Sequence, residues 1–99
     1  MRILVISDIH ANFTALKAVL DDAGPVDETW CLGDMVGYGP DPNEVVEQMR
    51  DLPQLTCLLG NHDVAVIGRM PFETFNGDAR RSLLWAERAL NIQNADFLR

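Results

Sequence analysis

Three short apolar runs, separated by segments with a helical pattern, constrain the fold more than any other feature of this sequence. The runs cover residues 3–6, 29–32 and 55–59, and each one stops at a polar turn. Short runs of β-branched and aliphatic residues are typical of strands whose two faces are both covered. We therefore predict three strands that are buried on both faces.

Amphipathic segments between and after these runs predict the helices. Asn12 can cap a first helix that ends at Gly24, and Asp41 before a proline is typical of the start of a second. Residues 78–90 predict a further helix, and Asn94 could cap another. Strands that alternate with helices imply right-handed crossovers, so we predict an α/β fold with a βαβαβ parallel sheet and flanking helices.

Composition narrows the possible classes of function. The chain has 15 acidic and 8 basic residues and a net charge of −7, which argues against a nucleic-acid-binding surface. Its 2 cysteines, Cys31 and Cys57, form neither a thiol redox motif nor a zinc knuckle, and we interpret them as buried reduced thiols. The sequence contains no signal-peptide pattern and no apolar stretch of the about 20 residues that cross a membrane, so we predict a cytoplasmic protein.

Polar clusters follow all three predicted strands at the points where the strands end. Asp8 and His10 follow the first strand, Asp34 follows the second, and Asn61 and His62 follow the third. Since the carboxyl ends of parallel strands lie along one edge of a sheet, we expect these side chains to converge there. Taken singly, each residue has an ordinary interpretation as a cap, turn or surface residue. Only their combination at all three strand ends favours a functional site.

The combined side chains are suited to holding divalent metal ions. Carboxylate, imidazole and amide ligands bind Mn, Fe, Zn, Ni or Co, and Asp34 on the middle strand could bridge two ions. Two such ions clamp the attacking and leaving oxygens of a displacement at phosphorus and make a bridging hydroxide available at neutral pH. His62 would then protonate the leaving alkoxide, and Asp63 would orient the imidazole.

The same clusters match the motifs of a known family. The patterns D-x-H at Asp8, G-D at Gly33 and G-N-H-[DE] at Gly60 resemble those of the calcineurin-like metallophosphoesterases. Residues 33–40 look like the small prokaryotic phosphodiesterase branch related to diadenosine-tetraphosphatases. This match covers residues 1–63. It implies a hydrolase that is activated by manganese or a similar ion.

The resemblance also implies a role for each matched residue. Asp8 and His10 would hold the first metal ion, and Asp34 would bridge both ions. Asn61 would bind the second ion, and His62 would be the acid close to the substrate phosphate.

One part of the family pattern is absent from this sequence. The family completes its metal sites with later histidines that end in a G-H-x-H motif, whereas this chain contains 2 histidines in all. The family fold is a longer αββα sandwich of two sheets. We therefore interpret residues 1–99 as the N-terminal half of a metallophosphoesterase domain whose C-terminal metal-ligand motifs are absent.

Two functions stay open from the sequence. The first is hydrolysis of a phosphomonoester or phosphodiester, including nucleotides, at a dinuclear metal centre. The second is a truncated, catalytically incomplete half-domain that binds a metal ion or phosphate. A sheet without its covering layer would expose apolar surface, which predicts homo-oligomers or marginal stability. Tyr38 would either pack in a tight loop beside Asp34 or approach the substrate.

Overall fold

The computed structural model describes residues 1–52 and 54–98, and for residue 74 the backbone alone. The described strands are β1 (Ile3–Ile6), β2 (Glu28–Cys31) and β3 (Leu55–Cys57). The described helices are α1 (Phe13–Ala23), α2 (Pro42–Arg50), α3 (Asn61–Val66), α4 (Gly77–Ala89) and α5 (Ile92–Phe97), with a 3₁₀ turn at Phe72–Thr74. Across this described part of the chain, no helix is long and apolar enough to span a membrane.

The three strands form one parallel sheet with β2 in the middle. Ile3 of β1 pairs with Glu28 of β2, and Cys31 of β2 pairs with Cys57 of β3. Helix α1 connects β1 to β2, and α2 connects β2 to β3, as in two successive βαβ units. The predicted α/β fold is therefore confirmed, and Asp34 follows the middle strand as expected.

The sheet is covered by helices on one face only. Cys31 belongs to a core cluster that also contains Met35, Met49 and Leu83, so the helices lie on its side of the sheet. On the other face Trp30 is 42% exposed and Leu58 is 61% exposed. The prediction that the strands are buried on both faces is therefore wrong. Two right-handed crossovers that step in the same direction along a sheet place both helices on the same side.

The starts of α1 and α2 are linked by one side-chain hydrogen bond. The side chain of Asn12 caps α1 by accepting the N–H of Ala15 at 3.0 Å, as predicted. Asp41 stands at the predicted cap position of α2, but its carboxylate accepts the N–H of Phe13, the first residue of α1, at 3.2 Å. Asp41 therefore joins two helices where the sequence predicts a local cap.

Helix α5 is attached to α2 through a buried asparagine. The cap of α5 is Asn91, whose side chain accepts the N–H of Asn94 at 2.9 Å, so the prediction of Asn94 as the cap is wrong. Asn94 lies inside the helix and is fully buried. Its amide donates to the side-chain oxygen of Asn43 at 2.9 Å, and its oxygen accepts from Arg50 at 3.0 Å. These bonds satisfy a polar group that would otherwise destabilise the interface between the helices.

The loops after β2 and β3 are tied together by the carboxylate of Asp63. This side chain is fully buried. It accepts the backbone N–H groups of Val36 at 3.0 Å and of Met35 and Gly60 at 3.2 Å. Burial raises the pKa of Asp63, and these three hydrogen bonds oppose that rise because they stabilise the charged form. A carboxylate that is removed from water thus orders both loops.

We expect Asn94→Ala to lower the free energy of unfolding by about 1–3 kcal/mol, because it leaves buried partners on α2 without hydrogen bonds. Urea unfolding followed by circular dichroism measures this loss. Gln93→Ala, an exposed change in the same helix, should alter stability by less than about 0.5 kcal/mol. Equal effects of the two substitutions would contradict a role for Asn94 in attaching α5.

We expect Asp63→Asn to lower the free energy of unfolding by a similar amount, about 1–3 kcal/mol. The amide nitrogen of asparagine would face a backbone N–H donor, so at least one loop bond is lost. Hydrogen exchange at the amides of Met35 and Val36 should become faster, whereas Asp22→Asn on the exposed side of α1 should leave it unchanged. Unaltered exchange at both amides in Asp63→Asn would show that this carboxylate does not order the loop.

Candidate metal centre

The residues after β1 and β2 are held together because parallel pairing continues past the strand ends. The N–H of Asp8 donates to the carbonyl of Gly33 at 3.0 Å, and the N–H of His10 donates to the carbonyl of Asp34 at 2.9 Å. These backbone bonds bring Asp8, His10 and Asp34 to the same edge of the sheet. The convergence expected from the strand order is present for these three residues.

All three residues have backbone conformations that side chains rarely adopt. The φ angles are 55° at Asp8, 50° at His10 and 59° at Asp34, in the left-handed region. Such a conformation costs about 1–3 kcal/mol per residue and persists only where the surroundings enforce it. Strain of this kind concentrates at functional sites, so its presence at three adjoining polar residues supports a site here.

Asp8, His10 and Asp34 present their ligand atoms to a common point. One oxygen or nitrogen of each lies within 4.8 Å of those of the other two. Nδ1 of His10 lies 3.2 Å from the carbonyl oxygen of Val36, which can accept a hydrogen bond from a protonated Nδ1. Nε2 of His10 lies 3.4 Å from Oδ1 of Asp8. In an imidazole that is protonated on Nδ1 alone, Nε2 has the lone pair that binds a metal ion.

Asn61, the first residue of α3, is brought to Asp34 by a shared hydrogen-bond donor. The backbone N–H of His62 donates to Oδ1 of Asp34 at 3.0 Å and to Oδ1 of Asn61 at 3.1 Å. Both side-chain oxygens therefore lie next to the same N–H. Asp34 thus adjoins Asp8 and His10 and also adjoins Asn61.

Two glycines permit these close approaches. A Cβ atom on Gly60 would collide with the carboxylate of Asp34, and one on Gly37 would collide with the imidazole of His62. Any other residue at either position would displace a side chain of the site. The glycine of the G-N-H pattern therefore has a steric basis, because the carboxylate of Asp34 packs on the backbone of Gly60, which has no Cβ.

The imidazole of His62 is buried within a cluster of aromatic rings. His62 is 6% exposed, and its ring centroid lies 4.9 Å from that of His10, 4.8 Å from that of Tyr38 and 5.0 Å from that of Phe75. Burial lowers the pKa of His62, while the nearby negative charge of Asp34 opposes that shift. Nδ1 of His62 is buried and has no hydrogen-bond partner among the described residues.

Asp63 has partners that differ from the predicted one. Both of its oxygens accept backbone N–H groups, from Met35, Val36 and Gly60, and none of these bonds involves the imidazole of His62. The neighbouring rings hold the imidazole in place instead. Asp63 acts on the site by fixing the backbone around it.

Two aromatic neighbours of His62 were not assigned to the site from the sequence. The sequence leaves Tyr38 open between a packing role and an approach to the substrate, and it gives Phe75 no role. Phe75 follows the 3₁₀ turn and reaches His62 only through the tertiary fold. No local pattern around Phe75 signals that contact.

The residues at this edge fit a divalent cation. They combine two carboxylates, an imidazole and an amide oxygen, which are ligands of hard and borderline divalent metals. The negative charges of Asp8 and Asp34 repel each other at this separation, and a bound cation would offset that repulsion. The charge and the chemistry of this donor set are therefore consistent with metal binding.

Related proteins share both the sequence pattern and the fold. The family model for calcineurin-like phosphoesterases matches residues 1–97. An uncharacterized protein of Methanocaldococcus jannaschii is 45% identical over 98 residues, which are 97% of this chain and 40% of that protein. A symmetrical bis(5'-nucleosyl)-tetraphosphatase of Photorhabdus laumondii is 36% identical over 72 residues, which are 69% of this chain and 26% of that protein.

Solved structures agree with these matches. A crystal structure of a metallophosphoesterase from Sphaerobacter thermophilus superposes with a TM-score of 0.82 and 52% identity, over 99% of this chain and 40% of that one. A hypothetical protein from Pyrococcus horikoshii has a TM-score of 0.83 at 22% identity, over 99% of this chain and 46% of that one, and shows the fold alone. The chain spans less than half the length of each of these relatives. Because the family model covers nearly all of it, the chain belongs to the calcineurin-like phosphoesterase family.

Proposed function

We propose that this chain supplies metal-binding strand ends to a hydrolase that cleaves phosphomonoesters or phosphodiesters at a centre of two divalent cations. The observation that carries the proposal is the convergence of Asp8, His10 and Asp34 within 4.8 Å at the carboxyl edge of a parallel sheet. Membership of the calcineurin-like phosphoesterase family supports the class of reaction.

In this proposal Asp8 and His10 hold the first cation, Asp34 is shared, and Asn61 holds the second. The hydrogen bonds from the N–H of His62 to Asp34 and Asn61 support the shared position, because they bring both oxygens to one point. Bound divalent cations would neutralise phosphate charge and polarise the phosphorus–oxygen bonds for attack by water.

His62 is proposed as the acid that donates a proton to the leaving oxygen. Its burial favours the neutral imidazole in the free protein, because desolvation lowers its pKa. An anionic phosphate bound beside the ring would favour the protonated form and raise the pKa again. His62 would then carry its proton when the substrate is bound, and Asp63 would hold the backbone that positions it.

Relatives point to a class of substrate. The Photorhabdus laumondii relative is a symmetrical bis(5'-nucleosyl)-tetraphosphatase, and its matched region covers 69% of this chain. We propose phosphoesters of nucleotides as substrates on this basis, and Mn²⁺ as the first cation to test.

A binding module without turnover is the second candidate. Among the described residues, the His, Cys, Asp and Glu side chains that could hold an ion form one group of three. With the proposed roles, the first cation has three ligands from the chain and the second has two, because Asp34 is shared. Most coordination sites of the two cations are then left to water or to other groups. Such a site would bind Mn²⁺ or phosphate and would not hydrolyse an ester.

We expect hydrolysis of bis(p-nitrophenyl) phosphate by this chain to require Mn²⁺ and to stop when the ion is chelated. Asp34→Asn should lower kcat/KM by at least about 100-fold, since even groups that only orient metal ligands contribute about 10–100-fold. Asp22→Asn on α1 is the matched control and should retain the activity. Calorimetric titration with Mn²⁺ should show weaker binding and a lower stoichiometry in Asp34→Asn.

The outcomes separate the two candidates. Mn²⁺ binding without hydrolysis would support the binding module and contradict turnover by residues 1–99 alone. Mn²⁺ binding that is the same in Asp34→Asn and in the unaltered chain would contradict the shared position of Asp34.

We also propose that copies of this chain associate through the open face of the sheet. Trp30 and Leu58 lie exposed on that face, and parallel sheets are ordinarily covered on both faces. Sedimentation velocity should show association that grows with concentration, and Leu58→Lys should weaken it. Leu84→Lys, which changes an exposed leucine on α4, should have no effect on association. A monomer at every concentration would be evidence against this surface.

A further inference from the structure

Tyr38 lies in the loop after β2 and borders both imidazoles of the candidate metal centre. Its ring centroid is 5.2 Å from that of His10, with the ring planes at 77°. It is 4.8 Å from that of His62, with the planes at 43°. The tyrosine ring therefore forms a wall directly beside the side chains proposed to bind metal and to donate a proton.

The backbone of Tyr38 is held from two sides. Its N–H donates to Oγ of Ser82 on α4 at 3.1 Å. The following residue, Gly39, donates its N–H to the carbonyl of His10 at 2.9 Å. Tyr38 itself has a φ of 67°, in the left-handed region that side chains rarely adopt. The ring is thus attached at a defined place, so a ligand that contacts it would not have to order the loop first.

The exposure of Tyr38 contrasts with the rest of the ring cluster. His10 and Phe75 are half-buried and His62 is buried, whereas Tyr38 is 53% exposed. A ring that only shielded His62 from water would be most stable with its own surface covered as well. Part of the Tyr38 ring is instead presented to solvent at the edge of the site.

The geometry points to Tyr38 as a stacking surface for a planar aromatic group of the phosphoester, a nucleobase or an aryl ring, while its phosphate occupies the metal centre. This inference rests on the proposed function and names a substrate class for that site. Aromatic rings are sequence-tolerant platforms for nucleobases, and one stacked base changes affinity by about 5- to 150-fold.

The test compares phosphates with and without a planar ring. Adenosine 5'-monophosphate, phenyl phosphate and ribose 5-phosphate are titrated calorimetrically into the chain in the presence of Mn²⁺. We expect the two aromatic compounds to bind about 10-fold more tightly than ribose 5-phosphate. Tighter binding of adenosine monophosphate alone would show that the site selects the base of a nucleotide. Equally tight binding of phenyl phosphate would show that the site accepts any planar ring.

Two substitutions separate stacking from simple packing. Tyr38→Phe keeps a planar ring and should keep the preference, whereas Tyr38→Leu keeps apolar bulk over His62 and should reduce it to less than about 2-fold. Trp85→Leu removes an exposed aromatic residue from α4 and should leave the preference intact. Retention of the preference in Tyr38→Leu would overturn the inference, and so would equal binding of all three compounds by the unaltered chain or binding of none.

A spectroscopic measurement on the unaltered chain removes any dependence on variants. The sequence contains 1 tyrosine, so its ring signals in a nuclear magnetic resonance spectrum belong to Tyr38. In the presence of Zn²⁺, which is diamagnetic and does not broaden nearby signals, adenosine monophosphate should shift these signals upfield and ribose 5-phosphate should not. Ring signals that do not respond to adenosine monophosphate would contradict stacking. Lack of Mn²⁺-dependent hydrolysis would instead contradict the proposed enzyme, so the two failures are distinguishable.

Discussion

The buried carboxylate of Asp63 is the interaction on which the geometry of the site depends. A charge that is removed from water destabilises a protein unless it is hydrogen-bonded, and this one accepts three backbone N–H groups. Its donors belong to the loops after β2 and β3. Because those loops carry Asp34 and Asn61, the bonds to Asp63 hold in place the backbone from which two of the proposed metal ligands project. The side chain predicted to orient an imidazole thus organises the surroundings of the whole centre.

Strain and close packing hold the remaining parts of the centre in position. Asp8, His10 and Asp34 have positive φ angles, and backbone pairing beyond the strand ends keeps them there. Gly37 and Gly60 give the imidazole of His62 and the carboxylate of Asp34 the room to approach the backbone. A site assembled in this way would need little rearrangement to accept a cation, because the proposed ligands already converge.

The one-sided arrangement of helices has a different consequence. Since the helices lie on one face of the sheet, they support the edge with the candidate metal centre from that side, while apolar side chains such as Trp30 and Leu58 meet solvent on the other. The strands and helices that form the core therefore also hold the loops of the candidate site. The open face is therefore an apolar surface beside the candidate site.

The sequence by itself determined the three strands, the helices α1, α2 and α4, their order and the polar residues that follow the strands, because hydrophobic period and turn chemistry are local properties. It also identified Asn12 as a helix cap and placed Asp34 after the middle strand. Only the tertiary structure decided which face of the sheet is covered, why Asn94 is buried against α2 and which side chains surround His62. These features depend on contacts between residues distant in the chain, such as Asp63 with Val36 or Phe75 with His62, and no local pattern encodes such contacts.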